Sequence, residues 1–417
     1  MGFIRFEGKR VNNVSLNRSI NIFFASFVYP TDTGYFKRMD LLIRWADIRF
    51  STVNFIIPKS ADISNKIIID HLQFCDNLFV IENKQHSFPI ISSIQKIIYR
   101  LITGRYPKFD SSLFLNKTLI RNFKKVVNDF KTDYFLNTRS NFAGLIKFIP
   151  GGTISLIDTQ DIYTDLYIKY CINGRTKWVQ FFLLGYKENR HFVKSEIEVL
   201  NKYDKIIAIS ESDYLKYFSI LLLRKKLLKI DSLGIEPKEF AVSTIIDKEF
   251  DCLFIASNFV GTQIGIKWFF DEVAPFLSIR ISLCLVGAIC DFVVSEKLNN
   301  INIDLRLQGF ADDLDTFYHK SKIVTLSMPE ATGTSVKGLE ALAYGAAIVS
   351  TKSGVRFGGL ENGFHCIITD NPKEFAFAIE NLLIDQEKRS KLGDNSLKFA
   401  KENFSIKSTF KLLDRCF

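Results

Sequence analysis

The sequence predicts an α/β protein built from two doubly wound sheets, and three observations support this fold class. Short apolar runs typical of buried strands alternate with helical segments through both halves of the chain. A turn-rich stretch at Ser232–Pro237 interrupts the alternation near the middle. Finally, a length of 417 residues suits two or three domains, and a hydrophobic content of 47% is sufficient for two cores.

The predicted strands fall into two groups on either side of the turn-rich stretch. The first group comprises Ile22–Ser26, Thr52–Ile57, Tyr134–Asn137, Thr153–Ile157, Trp178–Phe182 and Lys205–Ile209. The second comprises Cys252–Ala256, Ser282–Val286, Asp304–Leu307, Ile323–Ser327, Ala346–Ser350 and Phe364–Ile368. We therefore divide the chain into a first domain at residues 1–235, a linker at 236–250, a second domain at 251–395 and a C-terminal helix at 396–417.

One segment of the second domain, Thr332–Thr351, combines a small polar loop, one helix and a buried strand. Val336, Leu339 and Ala343 recur at helical spacing, which predicts the helix. Gly345 comes just after these residues, at the position where a glycine in the left-handed conformation commonly ends a helix. The apolar run after it predicts the strand.

The start of this helix has the chemistry of a phosphate site. The backbone amides of Gly333, Thr334 and Ser335 lie at the helix N-terminus, where the dipole and the unpaired N–H groups favour an anion. Lys337 adds a cation half a turn further along. Glu340 lies too far along for the same phosphate but is well placed for a sugar hydroxyl. These donors beside one carboxylate predict a nucleotide-sugar site.

The segment resembles the donor-site motif of retaining glycosyltransferases of family 4, in the form G-T-x-x-K-x-L-E-A-x-A-x-G, which residues 333–345 match. The more usual form of the motif has Glu at the position of Thr332 and Pro at the position of Ala347. The resemblance implies the GT-B fold, in which two Rossmann-like domains face each other across a cleft and the C-terminal helix crosses back to the first domain. It also implies sugar transfer with retention at the anomeric carbon.

The resemblance assigns further residues at other strand ends. Gly34, in the loop after the first strand, is expected to approach the donor, and Arg38 in the following helix is expected on the acceptor side. Asn258 follows the opening strand of the second domain, and Gly309 and Phe310 form the turn that reads the base. All three are expected to bind the donor.

The cations that the family often uses for the diphosphate are absent from their usual loop. Residues 257–263 contain only polar uncharged and apolar side chains where the family often has an Arg and a Lys. We therefore expect Lys337 and Arg356 to supply these charges as catalytic residues.

A strand of the first domain ends in two carboxylates, Asp158 and Asp161. The segment resembles the D-x-H-D sequence of related transferases, with Gln160 where His is common. We expect Asp158 on the acceptor side and Asp161 in a catalytic position, because a carboxylate there could orient the acceptor or a donor hydroxyl. Capping of a turn or helix by the same aspartates is the alternative.

No metal or cofactor is expected beyond the nucleotide diphosphate of the donor. The five histidines show no metal-binding spacing. The D-x-D sequence Asp313–Asp315 precedes apolar residues at helical spacing, so it predicts the start of a helix. Amides and cations would then stabilise the leaving diphosphate.

The sequence predicts a cytoplasmic protein. Seven scattered cysteines without a C-x-x-C pair favour a reducing compartment. No apolar run reaches the ~18 residues that a membrane helix needs. The first twenty residues lack the apolar core of a secretory signal.

Positive charge is concentrated in the first half of the chain. Residues 1–230 hold 35 Lys+Arg against 20 Asp+Glu, and the remainder holds 20 against 25. Ile90–Lys108 combines apolar residues at helical spacing with nearby cations, which predicts contact with an anionic surface on the inner face of the membrane. An ordinary helix packed on the first domain is the alternative. Nucleic acid is not an expected partner, because the chain has no zinc-finger spacing and no RNP-like aromatic motif.

These features predict a glycosyltransferase that moves a sugar from a nucleotide-sugar to a hydroxyl of a glycan or lipid-linked acceptor, in cell-surface polysaccharide synthesis. Two alternatives remain open. One is another enzyme on the same fold, a nucleotide-sugar epimerase or a phosphorylase. The other is a degenerate, non-catalytic GT-B scaffold protein, suggested by the missing first Glu of the motif and the missing Arg and Lys.

Overall fold

A computed structural model describes residues 2–8, 10, 16–28, 34–59, 65–83, 115–160, 189–220, 222–230, 233–235, 248–311, 313–329 and 335–416. The chain divides into two compact units. The first contains Met1–Ile230 together with Cys416–Phe417, and the second contains Asp231–Arg415. Of the linker predicted at 236–250, the structure describes only residues 248–250. The domain boundaries that we set from the sequence therefore stay predictions.

The described residues of the first unit form an eight-stranded sheet. Its strands are β1 (Phe3–Glu7), β2 (Leu16–Phe23), β3 (Phe50–Pro58), β4 (Asn77–Ile81), β5 (Tyr134–Asn137), β6 (Ile154–Asp158), β7 (Lys205–Ala208) and β8 (Leu227–Lys229). Their order is β1-β4-β3-β2-β5-β6-β7-β8. Every neighbouring pair is parallel except β1 and β4. The carboxyl ends of β2 to β8 therefore meet at one edge.

The described α-helices of this unit are α1 (Gly34–Arg49), α2 (Asn65–Leu72), α3 (Lys117–Asp129), α4 (Asn189–Leu200) and α5 (Glu211–Phe218), with a 3-10 helix at Ser140–Phe148. Phenylalanines fill the core between sheet and helices. Phe23 and Phe135 of the sheet each meet Phe123 of α3 edge to face, with ring centroids 5.9 and 5.7 Å apart. Such pairs add to the free energy of burial.

The second unit has a six-stranded parallel sheet among its described residues. Its strands are β9 (Phe250–Ile255), β10 (Ile281–Val286), β11 (Ile303–Gly309), β12 (Ser321–Leu326), β13 (Ala347–Ser350) and β14 (Ile367–Ile368). The order is β11-β10-β9-β12-β13-β14, so the winding reverses between β9 and β12. In open sheets of this kind, ligands bind beyond the carboxyl ends of the strands at that reversal.

The described α-helices of the second unit are α6 (Val260–Trp268), α7 (Ile289–Ser295), α8 (Asp315–Lys320), α9 (Val336–Ala343), α10 (Pro372–Ile384), α11 (Gln386–Asn403) and α12 (Ile406–Leu413). A glycine lets β10 pass close to β9. Gly287 has φ +103°, and a Cβ there would lie 2.3 Å from the carbonyl oxygen of Ala256. A side chain at this position would be excluded both by strain and by contact.

The predicted α/β class with two parallel sheets is confirmed. Most predicted strands are confirmed within a few residues, whereas β1, β4 and β8 were not predicted. The predicted strand Trp178–Phe182 and the predicted helix at Ile90–Lys108 lie outside the described residues. Within the described ranges, no helix combines the length and apolarity needed to span a membrane.

Asp251 of β9 links this strand to its two neighbours, β10 and β12, near the amino-terminal edge of the second sheet. Its carboxylate accepts hydrogen bonds from Ser282 N at 2.9 Å and from Lys322 Nζ at 2.8 Å. Burial alone would raise the pKa of Asp251. The hydrogen bonds from Lys322 and Ser282, with the charge of Lys322, outweigh burial and hold this pKa below its ordinary value of 3.8.

The depressed pKa of Asp251 predicts a pH-dependent contribution to stability. The contribution is complete above the unfolded pKa near 4 and is lost as pH falls through the lower folded pKa, because protonation then removes the charge that Lys322 contacts. We expect Asp251→Asn to flatten the acid limb of urea-unfolding free energies measured from pH 7 to 2.5. Glu402→Gln, which changes an exposed carboxylate of α11, is the control and should leave that limb unchanged. An equally steep acid limb in Asp251→Asn would contradict the assignment.

Candidate donor and acceptor sites

Helix α9 begins in the second unit at a capped N-terminus. Ser335 is its N-cap: the amide of Gly338 donates to Ser335 Oγ at 3.2 Å, and that hydroxyl donates to the carbonyl of Gly354. The helix ends before Gly345, which has φ +62° as its predicted role requires. The helix predicted from residue spacing is therefore confirmed. Gly333 and Thr334, predicted to bind a phosphate beside it, lie outside the described residues.

Glu340 and Lys337 contact each other on α9. Lys337 Nζ lies 2.8 Å from Glu340 Oε2, with side-chain exposures of 32% and 8%. From the sequence, Lys337 was predicted to bind the diphosphate of the donor and Glu340 a sugar hydroxyl. In the structure, the ammonium group of Lys337 offsets part of the cost of burying the negative charge of Glu340. A phosphate that reached Lys337 would compete with Glu340 for the same ammonium group.

Two stacked tyrosines lie beside Glu340. The rings of Tyr318 and Tyr344 are nearly parallel, with centroids 4.0 Å apart, and Tyr344 Oη donates to Asp315 Oδ1. Burial raises the pKa of both phenols well above 10. The negative charge of Glu340 adds to the increase at Tyr318, and the hydrogen bond to Asp315 and the charge of Asp315 add to it at Tyr344. The phenols therefore stay protonated at neutral pH.

The loop after β9 presents polar groups at the carboxyl edge of the second sheet. Asn258 is exposed, and its Oδ1 accepts from Gln263 Nε2 at 2.7 Å. Thr262 Oγ1 lies within hydrogen-bond distance of the carbonyl oxygens of Ser257 and Phe259 and can donate its one proton to either, which fixes the turn into α6. The loop can supply amide and hydroxyl groups to a ligand, but no side-chain cation.

The turn after β11 leaves an aromatic ring in solvent. Gly309 has φ +63°, and its carbonyl accepts from the amide of Gly287 at 2.6 Å. The next residue, Phe310, has 80% of its surface exposed. An exposed ring beside a bent backbone suits stacking on a planar ligand group. Binding of the base at this turn stays a prediction.

Arg356 follows the 3-10 turn Lys352–Val355 after β13. It is half-buried, and its Nη1 donates to the carbonyl of Ser353. The turn itself is capped by Thr351, whose Oγ1 accepts from the amide of Gly354 at 3.2 Å. Arg356 therefore lies at the same carboxyl edge as the start of α9, since Ser335 and Gly354 share a hydrogen bond.

In the first unit, Arg38 and Asp158 form a fully buried ion pair. Arg38 Nε and Nη2 donate to Asp158 Oδ2 at 2.9 and 2.7 Å, and the side chains are 1% and 0% exposed. Gln160 Nε2 donates to the other oxygen, Oδ1, at 2.6 Å. Both residues were predicted on the acceptor side. Because Arg38 and Asp158 are buried, they can position the residues around them at this edge of the sheet, and a role of either residue at an acceptor stays a prediction.

Gln160 adopts an unusual backbone conformation next to this ion pair. Its φ of +60° lies in the left-handed region that non-glycine residues seldom occupy. Asp161, predicted to be catalytic, is the next residue and lies outside the described ranges. Gly34 is the first residue of α1, consistent with a loop that turns into the helix there.

The D-x-D sequence starts a helix, as predicted. Asp313 Oδ1 accepts from the amide of Asp315 at 2.9 Å, where α8 begins. Across the described residues, no group of three His, Cys, Asp or Glu side chains has the arrangement of a metal site.

Sequence reasoning missed three features of these sites. They are the pairing of Arg38 with Asp158, the contact of Gln160 with that pair, and the tyrosine stack beside Glu340. The sequence does contain one indication of the Arg38–Asp158 pair. Asp158 ends an apolar strand and Arg38 lies among apolar helix residues, and two opposite charges in such settings are expected to find each other.

Comparisons with known proteins concern the fold of the chain and one segment of its second unit. Residues 249–385 match the family model described as Glycosyl transferases group 1. No curated protein matches the chain. HepE from Anabaena, solved with UDP and glucose, has a TM-score of 0.63 at 12% identity, with 96% of this chain and 99% of that chain covered.

Two further solved structures have the same architecture. Sucrose-phosphate synthase from Thermosynechococcus elongatus has a TM-score of 0.63 at 14% identity, covering 96% of this chain and 98% of that one. A variant of TarM from S. aureus, solved with fondaparinux, alpha-GlcNAc-glycerol and UDP, has a TM-score of 0.61 at 11% identity, covering 96% and 99%. The chain therefore has the GT-B fold, and its residues 249–385 are similar to the Glycosyl transferases group 1 family.

Proposed function

We propose that this protein is a glycosyltransferase that takes a sugar from a nucleotide-sugar bound by the second unit. The sugar passes to a hydroxyl of a glycan or lipid-linked acceptor, with retention and without a metal, in cell-surface polysaccharide synthesis. The observation that carries the proposal is α9, a capped helix with a nearly buried carboxylate at Glu340 and a cation at Lys337. This helix lies in the segment that matches Glycosyl transferases group 1.

The nucleotide part of the proposal has support from solved structures of the same fold. The HepE structure contains UDP and glucose, and the TarM structure contains UDP and a sugar-glycerol. We infer a nucleoside diphosphate as the leaving group here as well. Retention is inferred from the resemblance of residues 333–345 to the family motif.

We assign a separate role in donor binding to each of four described residues. The diphosphate would attract the ammonium group of Lys337 away from Glu340. The freed carboxylate could then accept a hydrogen bond from a hydroxyl of the sugar or the ribose. Arg356 would add a second cation, and Phe310 would stack on the base. The acceptor hydroxyl then attacks the anomeric carbon, the bond to the diphosphate oxygen breaks, and the departing phosphate takes the hydroxyl proton. No separate general base is required.

Nucleotide binding tests this proposal directly. We expect one of UDP, GDP, ADP, CMP and TDP to raise the melting temperature of the wild-type protein, equally with and without EDTA. At a concentration about 100 times its Kd, such a ligand stabilises the folded state by about 2.7 kcal/mol. Glu340→Ala should remove the shift, and the matched surface change Glu402→Ala on α11 should retain it.

The other outcomes discriminate between the alternatives. A shift that needs a divalent cation would contradict the metal-independent mechanism. No shift with any nucleotide would favour a degenerate scaffold. Binding together with release of epimerised free sugar in the absence of acceptor would favour an epimerase. Membrane contact through residues 90–108 stays a prediction, since that segment lies outside the described residues.

A further inference from the structure

The outer face of α3 carries a stripe of positive charge. Four of its residues are cationic and exposed: Lys117, Arg121, Lys124 and Lys125. At 100° per residue they fall within an arc about 100° wide and extend about 12 Å along the helix. The opposite face is buried in the core through Leu119, Phe123, Val126 and Val127. The stripe is thus the solvent side of a firmly anchored helix.

The stripe is not neutralised within the described part of the chain. None of its four cations forms an ion pair with a described carboxylate. Asp129, at the end of α3, lies at the margin of the arc. Among the described residues, no carboxylate forms an ion pair with these four cations, and all four are exposed to solvent.

Aromatic rings support two of the lysines. Lys124 Nζ lies 4.9 Å from the ring centroid of Phe148, and Lys125 Nζ lies 5.5 Å from that of Phe3. Both rings are partly buried against the core of the first unit. The two ammonium groups therefore lie near the faces of aromatic rings while the lysines stay exposed to solvent, so these contacts hold the charges at the surface of the first unit.

The shape and charge of the stripe favour an extended anionic surface. A helix face is convex, so it contacts a plane of headgroups more readily than it encloses a small anion. The surplus of 15 positive charges in residues 1–230 adds attraction that a bilayer, but not a single small ligand, would feel over the whole unit. Each basic residue near an anionic bilayer contributes about 1 kcal/mol.

We propose that the exposed face of α3 docks this protein onto an anionic lipid bilayer. Lys147, exposed beside Phe148 in the 3-10 helix, extends the basic surface. The proposal does not depend on the chemistry proposed for the second unit, because the stripe belongs to the first unit and its readout needs no nucleotide.

Vesicle co-sedimentation with the full chain tests this docking surface. We expect binding to vesicles of phosphatidylcholine with 25% phosphatidylglycerol, no binding to phosphatidylcholine alone, and loss of binding as salt rises, since exposed charges are screened. Arg121→Gln/Lys124→Gln/Lys125→Gln should bind roughly 100-fold more weakly, the sum of three contributions of about 1 kcal/mol.

A charge-matched control separates the stripe from overall charge. Lys398→Gln/Lys407→Gln/Lys411→Gln removes three exposed cations from α11 and α12 and gives the same net charge. It should bind like wild type, and both triple variants should keep the wild-type melting temperature. Equal weakening of the two variants would overturn the proposal. So would absence of vesicle binding by wild type, including the case in which it binds only a soluble polyanion such as heparin.

Discussion

Arg38→Met is expected to lower the free energy of unfolding of the first unit by about 3–5 kcal/mol. The reason is that Asp158 has no solvent exposure, so loss of the guanidinium leaves a buried charge without its cation. The Met side chain fills much of the same volume, which keeps packing loss small. Urea unfolding of the variant, followed by tryptophan fluorescence, measures the change.

A double variant separates the charge effect from packing. Arg38→Met/Asp158→Leu removes both charges and should recover most of the lost stability, because replacing a buried ion pair by apolar residues is often close to neutral. A double variant no more stable than Arg38→Met would show that packing, and not the uncompensated carboxylate, is what the arginine provides.

Lys337→Met is expected to reduce the rate of sugar transfer about 100-fold, the size of effect seen when one donor to developing negative charge is removed. It should also lower the melting temperature, because Glu340 is only 8% exposed and loses its cation. Steady-state kinetics with the nucleotide-sugar identified by the binding screen gives the rate, and a thermal melt gives the stability.

Lys337→Arg serves as the matched control for that change. Arginine retains the positive charge and can still contact Glu340, so stability and most of the activity should be kept. Full activity in Lys337→Met would exclude Lys337 from the reaction, even if the melting temperature fell. It would then leave Arg356 as the predicted cation to examine.

The sequence was informative wherever local pattern decides structure. β5 was predicted residue for residue, because Tyr134–Asn137 is a short apolar run bounded by polar residues. The helix carrying Glu340 was likewise predicted, with its left-handed end at Gly345. These features depend on neighbours a few residues apart, which spacing and turn chemistry report directly.

The features that were missed depend on distant parts of the chain. β1 is an edge strand, and the residues it pairs with in the antiparallel strand β4 lie at least 70 positions away in the sequence. β8 has only three residues, directly after a basic cluster. Arg38 and Asp158 are 120 residues apart, so no local pattern pairs them. The contact of Lys337 with Glu340 is local, but it depends on which rotamers the side chains adopt.

The division of the chain has a consequence for gene design. The second unit is one uninterrupted stretch, Asp231–Arg415, whereas the first unit combines Met1–Ile230 with Cys416–Phe417 from the far end of the chain. A single stop codon after residue 230 would therefore omit part of the first unit, including Cys416, which is only 2% exposed. Excising the second unit from the gene therefore needs two cuts, one after codon 230 and one after codon 415.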